Sequence, residues 1–79
     1  MQLPENYKEE IIDMLADKLG VDTEEITESS NLEYDLGADS LDKVELIQEI
    51  ENIYNCQIPD ELVEDAKTVN DLFEILEKL

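Results

Sequence analysis

Histidine, arginine and tryptophan are missing from this 79-residue chain, and cysteine occurs once, as Cys56. Without His, and with one Cys, neither nucleophilic dyads and triads nor a Cys/His zinc site can be built. The lone thiol also excludes an internal disulfide and fits a reducing compartment, with Cys56 expected to pack as a passive small hydrophobe. Two glycines, Gly20 and Gly37, are too few for a phosphate-cradling loop. Aromatic residues are limited to Tyr7, Tyr34, Tyr54 and Phe73, so the core must be mostly aliphatic. No apolar run approaches the roughly 20 residues needed to cross a bilayer. The opening Met1-Gln2-Leu3-Pro4-Glu5 is neither a signal peptide nor a basic transit peptide, so a cytoplasmic location is expected.

What the chain has in excess is negative charge: 23 carboxylates against five lysines, a formal net charge of −18. Such a surface is repelled by nucleic acid and by anionic membranes, and attracts proteins with basic patches. Self-repulsion opposes compaction, so NaCl or weak surface binding of Mg²⁺ or Ca²⁺ should stabilise the fold. Carboxylates alone do not make an enzyme, because acid–base work needs environments that separate a pair of pKa values, and no pair is singled out here. A calcium-loop reading from Asp35 fails at its sixth and twelfth positions, Ser40 and Leu46. No metal site and no autonomous catalytic activity are expected.

Apolar periodicity predicts an all-α fold in one domain spanning 1–79: a four-helix bundle with three main helices, a short third helix and a long loop between helices one and two. Pro4 suits the first position of helix one. Its stripe is Tyr7, Ile11, Ile12, Met14, Leu15 and Leu19, with Gly20 as the stop. Residues 21–39 form a crossover in which Val21, Ile26, Leu32, Tyr34 and Leu36 are expected to pin the loop to the core, with one helical turn after Asp22 or Thr23. Helix two, about 40–54, carries Val44, Leu46, Ile47, Ile50, Ile53 and Tyr54 over half its circumference, a face wide enough for several neighbours. Ile58-Pro59-Asp60 opens the short third helix, with Leu62, Val63 and Ala66 on one edge. Being short, it gains little stability by itself and is the segment best suited to move for a guest. Thr68 caps the last helix, with Asp71 completing a capping box.

The stretch Asp35-Leu36-Gly37-Ala38-Asp39-Ser40-Leu41-Asp42 ends the crossover and opens helix two. Asp39 is a suitable N-cap and Ser40 the first helical residue, so the hydroxyl stands beside free N–H groups and the positive end of the helix dipole. That suits a phosphate-bearing site, and equally describes a capped helix start with no further role. Leu41 is the apolar intruder on an arc otherwise made of Asp42, Glu45, Gln48, Glu49 and Asn52, either a scattered surface leucine or an apolar anchor.

Residues 35–42, continued by Val44-Glu45-Leu46, resemble the prosthetic-group site of acyl carrier proteins of dissociated fatty acid synthesis. The Ile58-Pro59-Asp60-Glu61 segment, Thr68-Val69, Gly20-Val21 and the overall length resemble that family too. The resemblance implies a carrier and not an enzyme. Ser40 would be esterified by 4′-phosphopantetheine, donated from coenzyme A by a separate Mg²⁺-dependent phosphopantetheinyl transferase, and growing acyl chains would ride as thioesters on the distal thiol. It further implies a monomer whose acidic helix two docks on fatty acid synthesis enzymes through Asp39, Leu41, Asp42, Glu45 and Glu51. A guest pocket would be lined by Val44, Ile47, Ile50, Val63 and Ala66, residues that ordinary core packing accounts for equally well. Three positions depart from the family pattern: Leu32, where a Phe often packs; Lys43, where a small hydroxyl residue is common; and Gln48, where an apolar contact is common. A carrier for a polyketide, a lipid A-type chain or an amino acid shares the same chemistry. The rival of a different class is an unmodified acidic helical adaptor in which Ser40 only begins a helix.

Overall fold

The computed structural model describes residues 2–79 and is all-helical. The elements are α1 (Tyr7–Leu19), a 3₁₀ turn (Thr23–Glu25), α2 (Ser40–Tyr54), α3 (Asp60–Asp65) and α4 (Val69–Lys78). Among the described residues the one β-type pairing is an isolated antiparallel bridge between Asn31 and Thr68. α1 begins three residues later than Pro4 suggested. The Pro4 carbonyl accepts the Tyr7 N–H at 3.2 Å, so proline starts a lead-in turn and the helical ladder begins with Glu10 N–H to Asn6. The helix stops at Gly20, whose φ of 70° lets its N–H close on the Ala16 carbonyl.

The core is aliphatic around one aromatic pair. Phe73 of α4 meets Tyr7 of α1 edge to face, centroids 5.9 Å apart. Leu46, Ile47 and Ile50 of α2 and Ile11, Met14 and Leu15 of α1 pack with Leu72, Ile75 and Leu76 of α4. The buried edge of α2 is narrower than its apolar arc: Val44 and Ile53, at the two margins, stay about half exposed. Tyr54 stays half-buried because its hydroxyl reaches across to Glu10 Oε1 at 3.2 Å.

The 19-residue crossover is held down by backbone bonds as well as by apolar pins. Leu32 N–H donates to the Lys67 carbonyl (2.9 Å), Val69 N–H to Ser30 (3.1 Å) and Asn70 N–H to Glu28 (2.9 Å). These bonds stitch the crossover to the α3–α4 connection. Ile26, Leu32 and Leu36 are buried as expected, and Val21 packs partly against the core. Tyr34 is not a pin: it is 83% exposed. Asn31 Oδ1 accepts both the Glu33 and Tyr34 N–H groups at 2.9 Å, a tight turn that sends Leu32 and Leu36 inward and Tyr34 out.

Candidate functional site

The crossover delivers Ser40 through a short chain of local constraints. Gly37 takes φ 77°, a left-handed conformation that suits glycine. The next residue, Ala38, is buried, and its N–H bonds the Leu32 carbonyl at 2.8 Å. Asp39 then turns extended and caps α2: its Oδ1 accepts the Asp42 N–H at 2.8 Å, while Asp42 Oδ2 accepts the Asp39 N–H at 3.2 Å. Each aspartate thus satisfies a backbone donor of the other. Lys43 N–H to the Asp39 carbonyl is the first bond of the helical ladder.

Ser40, between these bonds, is exposed, and its hydroxyl takes no part in them. Among the described residues it has no hydrogen-bond partner, so the chain offers it no general base. Beside it lies a cavity of about 330 Å³ whose wall includes Leu32, Ala38, Ser40, Lys43, Ala66 and Lys67, with the 31–34 turn and Asp39 completing it. Lys43 spans one side, donating from Nζ to the Ala66 carbonyl at 2.6 Å. Burial holds the Lys43 ammonium below its ordinary pKa, and the charge of Lys67 adds to this.

On α2, Leu41 (65% exposed), Val44 (48%) and the exposed Glu45 and Gln48 lie on one outward arc. Asp39 and Glu45 of the expected docking set are open to solvent, and Asp42 is half-buried. Glu51, also half-buried, accepts the Ile58 N–H on its Oε2 at 2.7 Å and so fixes the α2–α3 connection. Of the expected pocket residues, Ile47, Ile50 and Ala66 are buried, Val63 is half-buried and Val44 faces outward. The cavity beside Ser40 takes only Ala66 from that set.

The phosphopantetheine attachment site family matches residues 9–76. The chain belongs to the acyl carrier protein family. It is 50% identical over 68 residues to the acyl carrier protein of Syntrophobacter fumaroxidans, covering 86% of this chain and 84% of that one. With the acyl carrier protein of Amoebophilus asiaticus it shares 47% identity over 70 residues, 89% of this chain and 88% of the relative. The solved structure of a protein described as an acyl carrier protein from Mycobacterium tuberculosis superposes with a TM-score of 0.84 at 31% identity, over 90% of this chain and 95% of the other. A phosphopantetheine prosthetic group follows from the family, and carrier proteins of this kind are not enzymes.

Two features of the cavity escaped the sequence reading. Ala38 gave no signal, since a single alanine before a cap has no periodicity to betray it. Lys67 sits 27 positions from Ser40, and long-range bonds, from Leu32 N–H to its carbonyl and from Lys43 Nζ to Ala66, bring its segment to the cavity. Ile58, read only as extended before Pro59, is buried in the core. Cys56 is half-buried, and burial, with a smaller contribution from Glu51, pushes its thiol pKa up, away from thiolate chemistry.

Proposed function

We propose that Ser40 is the attachment point for 4′-phosphopantetheine and that the chain, a single domain over 1–79, carries acyl groups for fatty acid synthesis. The observation that carries this reading is the exposed, unpartnered Ser40 hydroxyl at the first position of α2, set at the edge of a cavity by a reciprocal Asp39–Asp42 cap. The residues present fit the group: an open hydroxyl for the ester, two lysines near an anionic linkage, and the apolar Leu32, Ala38 and Ala66 beyond it. When bound, the arm supplies a distal thiol that holds acyl groups as thioesters.

The chain's own part is to present and orient. Ser40 Oγ forms the new P–O bond as the phosphoanhydride of coenzyme A breaks and adenosine 3′,5′-bisphosphate leaves, and the hydroxyl proton goes to the transferase, since among the described residues Ser40 has no partner to accept it. A helix N-terminus favours the resulting anion by about 0.3–1 kcal/mol when exposed, and the nearby aspartates oppose it. Asp39 and Glu45, flanking the exposed Leu41, form a docking face for basic patches on the transferase and on fatty acid synthesis enzymes, with Asp42 at its edge. Glu51 belongs to the same docking set and also holds the Ile58 N–H on one carboxylate oxygen. Among the described residues no helix is long and apolar enough to cross a membrane. In this reading the carrier works as a cytoplasmic monomer that visits one enzyme after another.

The test is an intact mass after incubation with coenzyme A, Mg²⁺ and a broad-specificity phosphopantetheinyl transferase. The wild-type chain should gain one phosphopantetheine and Ser40→Ala none. A gain that survives in Ser40→Ala refutes the assignment, and no gain in the wild type supports the unmodified-adaptor reading instead.

A further inference from the structure

Four of the five lysines divide into two pairs by what their ammonium groups meet. Lys8 pairs with Glu28 at 3.2 Å and Lys18 with Glu49 at 3.4 Å. Lys43 and Lys67 instead donate to backbone carbonyls, Ala66 at 2.6 Å and Glu64 at 3.4 Å. Among the described residues neither forms an ion pair, in a chain with 23 carboxylates to choose from. Both line the one cavity that Ser40 also lines. The start of α2 brings one and the α3–α4 connection brings the other. The two are close enough that Lys67 helps hold the Lys43 ammonium below its ordinary pKa. Glu33 and Asp39 share this wall, and Asp39 Oδ1 is already engaged by the Asp42 N–H. The wall itself thus carries two carboxylates against two ammonium groups, with Asp71 and Asp65 also acting on Lys43, within a surface that is otherwise strongly negative. It is the place where an anion meets two ammonium groups with donors to spare, since each has three and directs one to a carbonyl.

We propose that Lys43 and Lys67 form a cationic cradle for the phosphodiester on Ser40, laying the first segment of the arm across the cavity toward Ala66 instead of out into solvent. This rests on the Ser40 reading above and deepens it. A phosphate oxygen accepting from either ammonium makes a charge-assisted hydrogen bond and relieves the repulsion between the two lysines. The cradle is a positioning device and takes no part in bond making.

The experiment loads the chain with coenzyme A, Mg²⁺ and transferase, confirms the mass gain, and then reads two signals. Acetylation of individual lysines by acetic anhydride, followed by mass spectrometry, should slow several-fold at Lys43 and Lys67 on loading and stay unchanged at Lys8, Lys18 and Lys78. The ³¹P resonance of the loaded protein should move in Lys43→Gln and in Lys67→Gln, and stay put in Lys18→Gln, which makes the same charge change elsewhere. Lys67 is exposed, so its variant keeps the test valid if Lys43→Gln disturbs folding. Full loading with unchanged acetylation and an unmoved phosphorus signal overturns the cradle and leaves Ser40 as the attachment site. Absence of any mass gain overturns both.

Discussion

The starts of α2 and α4 are built on the same local device and lead to opposite environments. At α2, Asp39 and Asp42 cap each other; at α4, Thr68 Oγ1 accepts the Asp71 N–H at 3.2 Å and Asp71 Oδ2 accepts the Thr68 N–H at 3.0 Å. The residue after the first cap is the exposed Ser40, and the residue after the second is the fully buried Val69. What separates them is cover. The 28–32 segment lies along the start of α4, taking the Val69 and Asn70 N–H groups on its carbonyls, while the side of α2 where Ser40 stands keeps its hydroxyl clear of such contacts. A cap therefore specifies where a helix begins, and the chain folded against it specifies whether its first residue becomes core or site.

Exchanging the two first residues is the strongest way to break this comparison. Val69→Ser should cost about 2–4 kcal/mol in urea unfolding, from lost apolar burial and an added buried hydroxyl. Ser40→Val should stay within about 0.5 kcal/mol of wild type, as exposed substitutions usually do, and should abolish loading. Equal costs at the two positions would show that burial does not distinguish them.

A smaller effect separates the caps themselves. Backbone N–H groups of Lys67 and Thr68 hold the Asp71 carboxyl below its ordinary pKa of 3.8. Because the folded-state pKa is the depressed one, the stabilisation is fully present above the unfolded value and is lost as pH falls through the folded value. Asp71→Asn should therefore lower stability by about 1–2 kcal/mol at pH 7, the scale of charged hydrogen bonds. The deficit should shrink as pH drops below about 4. Urea titrations at pH 7 and pH 3 check this, and a deficit independent of pH would contradict it.

The smallest effect is expected at the other cap. Asp39→Ala should cost about 0.5–1 kcal/mol, the lower part of the usual range for a lost N-cap, because removing one carboxylate from a crowded surface offsets part of the loss. Thermal unfolding of the two single variants side by side measures the difference. An Asp39→Ala cost larger than that of Asp71→Asn would reverse the ranking of the two caps.

Much of this was legible in the residues because it depends on near neighbours in the chain. The stripe of α1 ending at Gly20, the Asp39 and Thr68 caps, and the placing of Ser40 as the first residue of α2 all rest on contacts within a few positions. So does the attachment motif through which the chain resembles its family. The misreadings have a common physical cause. Tyr34, Val44 and Ile53 are apolar enough to be buried, but a turn fixed by Asn31 sends Tyr34 outward, and Val44 and Ile53 stand at the two margins of the buried edge of α2. Pro4 fits a first helical position equally well as a lead-in turn, and φ alone does not distinguish them.

By itself the sequence determined the four helices, the capped starts of α2 and α4, and the hydroxyl around which the family's chemistry would turn. Only the tertiary structure decided which apolar residues are core, that Glu51 is tied to Ile58, and that Lys43 and Lys67 meet on one wall beside Ser40. The reason is range. Capping and periodicity act over three or four residues, whereas that wall is assembled by bonds such as Leu32 N–H to Lys67 that join segments far apart in the chain.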